Sequence, residues 1–117
     1  DYVVLPLYSL KTKKVEEKSG LNQWNAGGRP RHEDELYIPV PRFIHKNFEN
    51  FFPDGDFVLM LPDGKELSAK LCQAGKKGLM SNPNKELGHW LLRTVLKKAP
   101  RTLVTMQDLY EFGFDSI

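Results

Sequence analysis

Apolar and polar residues alternate at several places along the chain, and this alternation predicts short strands. Over residues 1–9, Val3, Leu5 and Leu7 alternate with Tyr2, Val4, Pro6 and Tyr8. Pro6 lacks an N–H, which places that strand at an edge. Over 35–40, Leu36, Ile38 and Val40 share one strand face. Residues 56–61 form a strongly apolar strand, Pro62-Asp63-Gly64 reads as a hairpin turn, and 65–73 returns with Leu67, Ala69 and Leu71 toward the core. A short strand is expected at 102–105, and a last one begins at 114–117.

Two helices interrupt the strands. Pro41 suits a first helical residue, and Phe43, Ile44, Phe48 and Phe51 follow at helical spacing until Phe52-Pro53 closes the unit. Asn82-Pro83 or Asn84 can open the second helix, which turns Leu87, Trp90, Leu91 and Val95 inward and ends before Pro100. A helical turn follows at 106–113. The expected fold is therefore mostly β with two short helices, of the small barrel kind, and residues 1–117 form one domain.

Two polar, glycine-bearing stretches break the pattern. Residues 10–34 have no sustained period, and a structureless stretch of about 25 residues is rare in a compact domain unless it is functional or disordered. The second stretch lies within 73–84. Charge is distributed unevenly: residues 70–101 hold eight basic residues and one acid, whereas 47–66 hold five acids and one lysine. The chain's net charge is only +2, so this polarity, not the total, points to a polyanionic partner. The single cysteine, Cys72, excludes an intrachain disulfide. No apolar run approaches the ~20 residues of a membrane helix. Asp1 stands where a methionine would begin a complete chain, so the sequence reads as one domain of a larger protein.

Catalytic chemistry is hard to place. His32, His45 and His89 are scattered without zinc-ligand spacing, and Cys72 sits on a strand with no placed partner. Pro53-Asp54 and Pro62-Asp63 could each start a metal-nuclease pattern, but Glu66 is followed two positions on by Ser68, not lysine. His45 is followed directly by Lys46, which breaks a phospholipase D-type His-x-Lys. No glycine-rich phosphate loop is present. A small-barrel nuclease would have to rely on Glu66, Lys70 and His89. No metal or cofactor is expected.

The polar stretches carry the side chains that read base edges: arginine pairs with guanine, and asparagine or glutamine with adenine. In the first stretch, Asn22, Gln23, Asn25, Arg29 and Arg31 are candidate readers, and Trp24 could anchor the loop or pack on sugar. In the second, Gln73, Lys77, Ser81, Asn82 and Asn84 are candidates. Lys76, Lys11, Lys13, Lys14, Lys18, Lys46 and Arg93 suit phosphates, which hold register without discriminating sequence.

An ordered series of short segments adds to this reading. Ser-Gly-Leu-Asn at 19–22, Arg-Pro-Arg at 29–31, Glu-Leu-Tyr-Ile-Pro-Val-Pro at 35–41 and Phe-Phe-Pro at 51–53 come first. Gln-Ala-Gly-Lys-Lys at 73–77, Glu-Leu-Gly at 86–88 and Asp-Leu-Tyr-Glu-Phe-Gly at 108–113 follow. The series resembles the DNA-recognition domain of restriction endonucleases of the NgoFVII and BfiI kind. The resemblance implies the pseudobarrel of plant B3 domains, with two arms, here 19–34 and 73–84, gripping the major groove of double-stranded DNA. It also implies a prokaryotic, cytoplasmic parent whose nuclease is a separate domain, through which the parent would dimerise. A B3-type transcription regulator is the alternative.

Overall fold

The computed structural model describes residues 2–117, so Asp1, at the head of the first expected strand, lies outside the described residues. Four strands form one antiparallel sheet: β1 (Ile38–Pro39), β2 (Phe57–Met60), β3 (Glu66–Cys72) and β4 (Gly78–Ser81), in the order β1-β4-β3-β2. The β2–β3 hairpin turns where expected. Asp63 Oδ1 accepts from the Lys65 N–H at 2.9 Å, Leu61 N–H donates to the Lys65 carbonyl at 2.8 Å, and Gly64 takes φ 88°. In that register Leu59 pairs with Leu67 and Phe57 with Ala69. Leu67 and Ala69 are buried, while Val58 and Met60 on the other face of β2 are exposed, so this edge strand is amphipathic and not buried throughout.

The first expected strand is extended chain that pairs with the chain's own end. Leu5 N–H donates to the Ile117 carbonyl at 2.6 Å, Ile117 N–H returns to Leu5 at 2.9 Å, and Leu7 N–H donates to Asp115 at 2.7 Å. Pro6, with no N–H to give, sits opposite Ser116. Residues 102–105 form no ladder, a correction to the strand expected there. Their anchor is a side chain: buried Val104 is bound by Asn22.

The second arm is also corrected. Residues 73–84 are not one loop, because Gly78–Ser81 is β4, an interior strand between β1 and β3. Gly78 suits that interior: a Cβ there would come within 2.9 Å of the Tyr37 ring and 3.2 Å of Cys72 Sγ. Residues 73–77 form the loop before β4, and Asn82 and Pro83 form an exposed bend after it that leads into residue 84.

Three short α-helices are present among the described residues. α1 (Arg42–Asn47) begins after Pro41, whose carbonyl accepts from Ile44 N–H at 3.0 Å, and it is less than two turns long; Ile44 is buried while Phe43, Phe48 and Phe51 remain exposed. α2 (Asn84–Gly88) runs into a wider-wound stretch, His89–Val95. There the Leu96 N–H reaches back five residues to Leu91 at 2.9 Å. The wider winding brings Leu92 into the core beside Leu87 and Leu91, leaving Trp90 and Val95 only partly covered. α3 (Met106–Phe112) opens with a capping box: Asp108 N–H donates to Thr105 Oγ1 at 3.2 Å, and Thr105 N–H donates to Asp108 Oδ2 at 2.8 Å.

Candidate nucleic-acid interface

Both arms abut β1. The Gly20 carbonyl, at the root of the first arm, accepts from Tyr37 N–H at 3.3 Å, and the Lys77 carbonyl, at the root of the second, accepts from Val40 N–H at 2.7 Å. Between the roots lies a concavity of about 410 Å³ whose walls include Tyr8, Lys11, Tyr37, Arg42, Gln73 and Lys77.

The first arm begins as a 3₁₀ helix, Gly20–Asn25. Leu21 and Asn22 point inward and are wholly buried. Asn22 Nδ2 donates to the carbonyls of Glu16 at 2.9 Å and Val104 at 2.8 Å, and Oδ1 accepts from Val104 N–H at 2.9 Å. Its amide is committed to tying three segments together, which corrects the base-reading role expected of it. Trp24 packs partly against the core, Gln23 is half-buried with Oε1 unpartnered inside the protein, and exposed Asn25 donates to the Glu17 carbonyl at 3.0 Å.

Arg29 and Arg31 both turn toward Glu35. Arg29 Nη2 lies 3.0 Å from Glu35 Oε2 and Arg31 Nη1 lies 3.6 Å from it. Burial pushes the Glu35 carboxyl up, but the Arg29 hydrogen bond, the His32 N–H and the two guanidinium charges together hold it below the ordinary glutamate value. A carboxyl lowered on folding contributes stability that is present above its unfolded pKa and is lost as pH falls through the folded one. Stability is therefore expected to decline on the acid side of pH 4.5, and Glu35→Gln to flatten that decline. Denaturant melts of both proteins at pH 7 and pH 4 check this; parallel losses would contradict it.

Beyond Glu35 the arm is fastened to the second helix. Buried Asp34 faces Arg93 Nη2 at 2.7 Å and accepts from His89 Nδ1–H at 3.2 Å. Arg93 also donates to the carbonyls of Lys98 at 3.1 Å, Ala99 at 3.4 Å and Glu33 at 3.3 Å. Only 15% of its side chain is exposed. Arg93 is thus an internal staple, a correction to its expected role at phosphate.

The second arm turns tightly, with Gln73, Gly75 and Lys76 all at positive φ. His45 Nε2–H donates to the Lys76 carbonyl at 2.8 Å, which docks the turn on α1. Lys76 Nζ meets Asp54 at 2.6 Å, and the bond from Lys76 holds that carboxyl low. Both groups are well exposed, so this pair contributes little and leaves the lysine available. Gln73, Lys77 and Asn82 are exposed. Asn84 Oδ1 accepts from Leu36 N–H at 3.3 Å. Ser81 is buried: its hydroxyl accepts from Leu87 N–H at 2.8 Å and faces the carbonyls of Pro83 and Asn84. It joins β4 to α2, which corrects the base contact expected of it.

The signature of the NgoFVII C-terminal B3-like DNA-binding domain matches residues 5–117. The chain belongs to that family. No curated protein matches it.

In this B3-like domain Lys11, Lys13, Lys14, Lys18 and Lys46 are all exposed. Lys11 lines the concavity between the arms, whereas Lys14 and Lys18 line a separate hollow against residues 103–106. Arg42, which sequence reasoning missed, is exposed on the wall of the central concavity. Its signal was its place directly after Tyr-Ile-Pro-Val-Pro. The basic stretch is weaker in space than along the chain, because Arg93, Lys98 and Lys76 pair with Asp34, Asp108 and Asp54. Burial raises the Cys72 thiol, with Lys70 opposing it. Of the residues a nuclease would need, His89 bonds to Asp34, while Glu66 is exposed on β3. Among the described residues, no three His, Cys, Asp or Glu side chains converge as a metal cluster would require. Among the same residues, no helix is long and apolar enough to cross a membrane.

Proposed function

We propose that this domain binds a short specific site on duplex DNA through the major groove, as the target-recognition part of a restriction endonuclease. The observation that carries the reading is the placement of two polar arms on either side of β1, around a concavity walled by Lys11, Arg42, Gln73 and Lys77. Membership in a family of B3-like DNA-binding domains supports it. The sheet together with the paired chain ends would form the B3-type pseudobarrel. Strand cleavage belongs, on this reading, to a separate domain of a prokaryotic, cytoplasmic parent, which dimerises through that domain.

Base contacts fall to Arg29, Gln23 and Asn25 from the first arm and to Gln73, Lys77, Asn82 and Asn84 from the second, with Trp24 anchoring the first. Phosphate contacts fall to Lys11, Lys13, Lys14, Lys18, Lys46 and Lys76. If about four of these cations touch phosphates, the log–log salt slope is roughly −3.6, and affinity drops about 150-fold between 50 and 200 mM salt. Lys14→Ala is expected to weaken every sequence alike and to flatten the slope by about 0.9. Selection of bound sites from a random duplex library, followed by a salt titration on the selected site, tests the reading. Failure to enrich any sequence, or a slope near zero, would overturn it.

A further inference from the structure

We propose that Glu35 is a positioning residue: it holds the Arg29 guanidinium by its end-on edge and leaves the side-on edge to read one guanine. The proposal rests on the reading that the domain recognises a specific duplex site.

Arginine carries five N–H donors in a rigid planar fork. On Arg29, Nη1 donates to Glu35 Oε1 at 3.3 Å and to the Pro30 carbonyl at 3.0 Å, and Nη2 donates to Glu35 Oε2 at 3.0 Å. Both Nη1 hydrogens and the inner Nη2 hydrogen are thereby used. The remaining donors, Nε–H and the outer Nη2–H, lie parallel on one edge of the plane. That edge is the fork that matches guanine O6 and N7. The Arg29 side chain is 54% exposed, and its bonds within the protein run through Nη1 and Nη2 to Pro30 and Glu35, none through Nε.

Arg31 looks equivalent in the sequence but is spent. Its Nε donates to the Ala26 carbonyl at 3.2 Å and its Nη2 to the Gly27 carbonyl at 3.4 Å. Those two atoms are its own side-on fork, and its side chain is only 16% exposed. Arg31 braces the arm; Arg29 is the one that can read.

Glu35 can hold the pair because it is itself fixed. Its side chain is 15% exposed, its N–H donates to the His32 carbonyl at 3.0 Å, and the next residue, Leu36, is wholly buried. Holding the guanidinium in place before DNA arrives removes an ordering cost at binding. The same carboxylate also faces Arg31, so the cluster of Arg29, Arg31 and Glu35 keeps one net positive charge. Arg29 should therefore matter chiefly for discrimination at one base pair, through its fork, and only as one charge among many for general attraction to phosphates.

The test uses the full 117-residue chain and the duplex selected from a random library, with every single-base variant of that duplex. The wild type is expected to prefer guanine at one position by about ten-fold or more. Arg29→Ala removes that preference and leaves the other positions intact. Glu35→Gln removes most of it, and the double variant loses no more than Arg29→Ala. Replacing the guanine by 7-deazaguanine weakens the wild type and leaves Arg29→Ala unaffected. Arg29→Lys keeps an ion pair but not the fork, and should lose the same preference even if a Glu35 variant folds poorly. Salt slopes should stay within about half a unit of the wild type. A uniform loss across all variants, or a guanine preference that survives in well-folded Glu35→Gln, overturns the proposal while leaving specific binding standing. If the wild type selects no site at all, specific recognition fails, and this inference fails with it.

Discussion

Gly88→Ala is expected to destabilise the domain by about 4 kcal/mol, toward the extreme of single-substitution effects. A Cβ at position 88 would lie 1.6 Å from the Asp34 carbonyl oxygen and 2.7 Å from its carbonyl carbon. Both are backbone atoms, so no rotamer change can make room. The helix must either move off the first arm or push residue 34 outward. Moving the helix would strain the Arg93–Asp34 pair at 2.7 Å and pull Leu87 and Leu91 out of the core. Gly27→Ala in the same arm is the control: an added Cβ there meets nothing within 4 Å, and no measurable loss is expected. Denaturant unfolding of both variants gives the comparison. An unchanged midpoint in Gly88→Ala would mean that the close approach of helix and arm is not a feature of the folded protein.

The second large effect is expected at Asn22. Asn22→Leu replaces an amide of similar volume with an apolar side chain and strands three buried or half-buried backbone groups: the carbonyls of Glu16 and Val104, and the Val104 N–H. Each unsatisfied buried group costs about 1–3 kcal/mol, so a loss of about 4 kcal/mol is expected. DNA binding should weaken too, because the root of the first arm loses its tie to residue 104. This loss has a distinctive form. It should be equal for all sequences and should track the folded fraction, since Asn22 is wholly buried and both of its amide hydrogens are committed inside the protein. A variant that stays fully folded yet loses preference at one base pair would restore Asn22 as a reader.

The two kinds of residue in these predictions differ in how far they could be read from the sequence. The hairpin at Pro62-Asp63-Gly64, the alternation through Glu66–Cys72 and the start of α1 after Pro41 are local, because the residues that decide each one lie within a few positions of one another. The arm roots were legible for the same reason, as polar glycine-bearing segments interrupting a clear pattern. β4 was missed because Gly78–Ser81 is short and flanked by turn residues. Nothing within four residues distinguishes an interior strand from a loop.

The sequence by itself therefore determined the hairpin, most of the short strands, the two loop-bearing regions and, through an ordered series of short segments, the DNA-binding family. The tertiary structure alone decided which polar side chains are free. Asn22 and Val104 are 82 positions apart and Arg93 and Glu33 are 60 apart, so no local pattern could show that Asn22 and Arg93 are consumed inside the protein. Arg29 and Arg31 are nearly interchangeable as sequence, yet one spends its fork on carbonyls of its own arm and the other does not. Propensity and periodicity act over a few residues of backbone, whereas a buried polar group must find its partner wherever the fold brings one within about 3 Å.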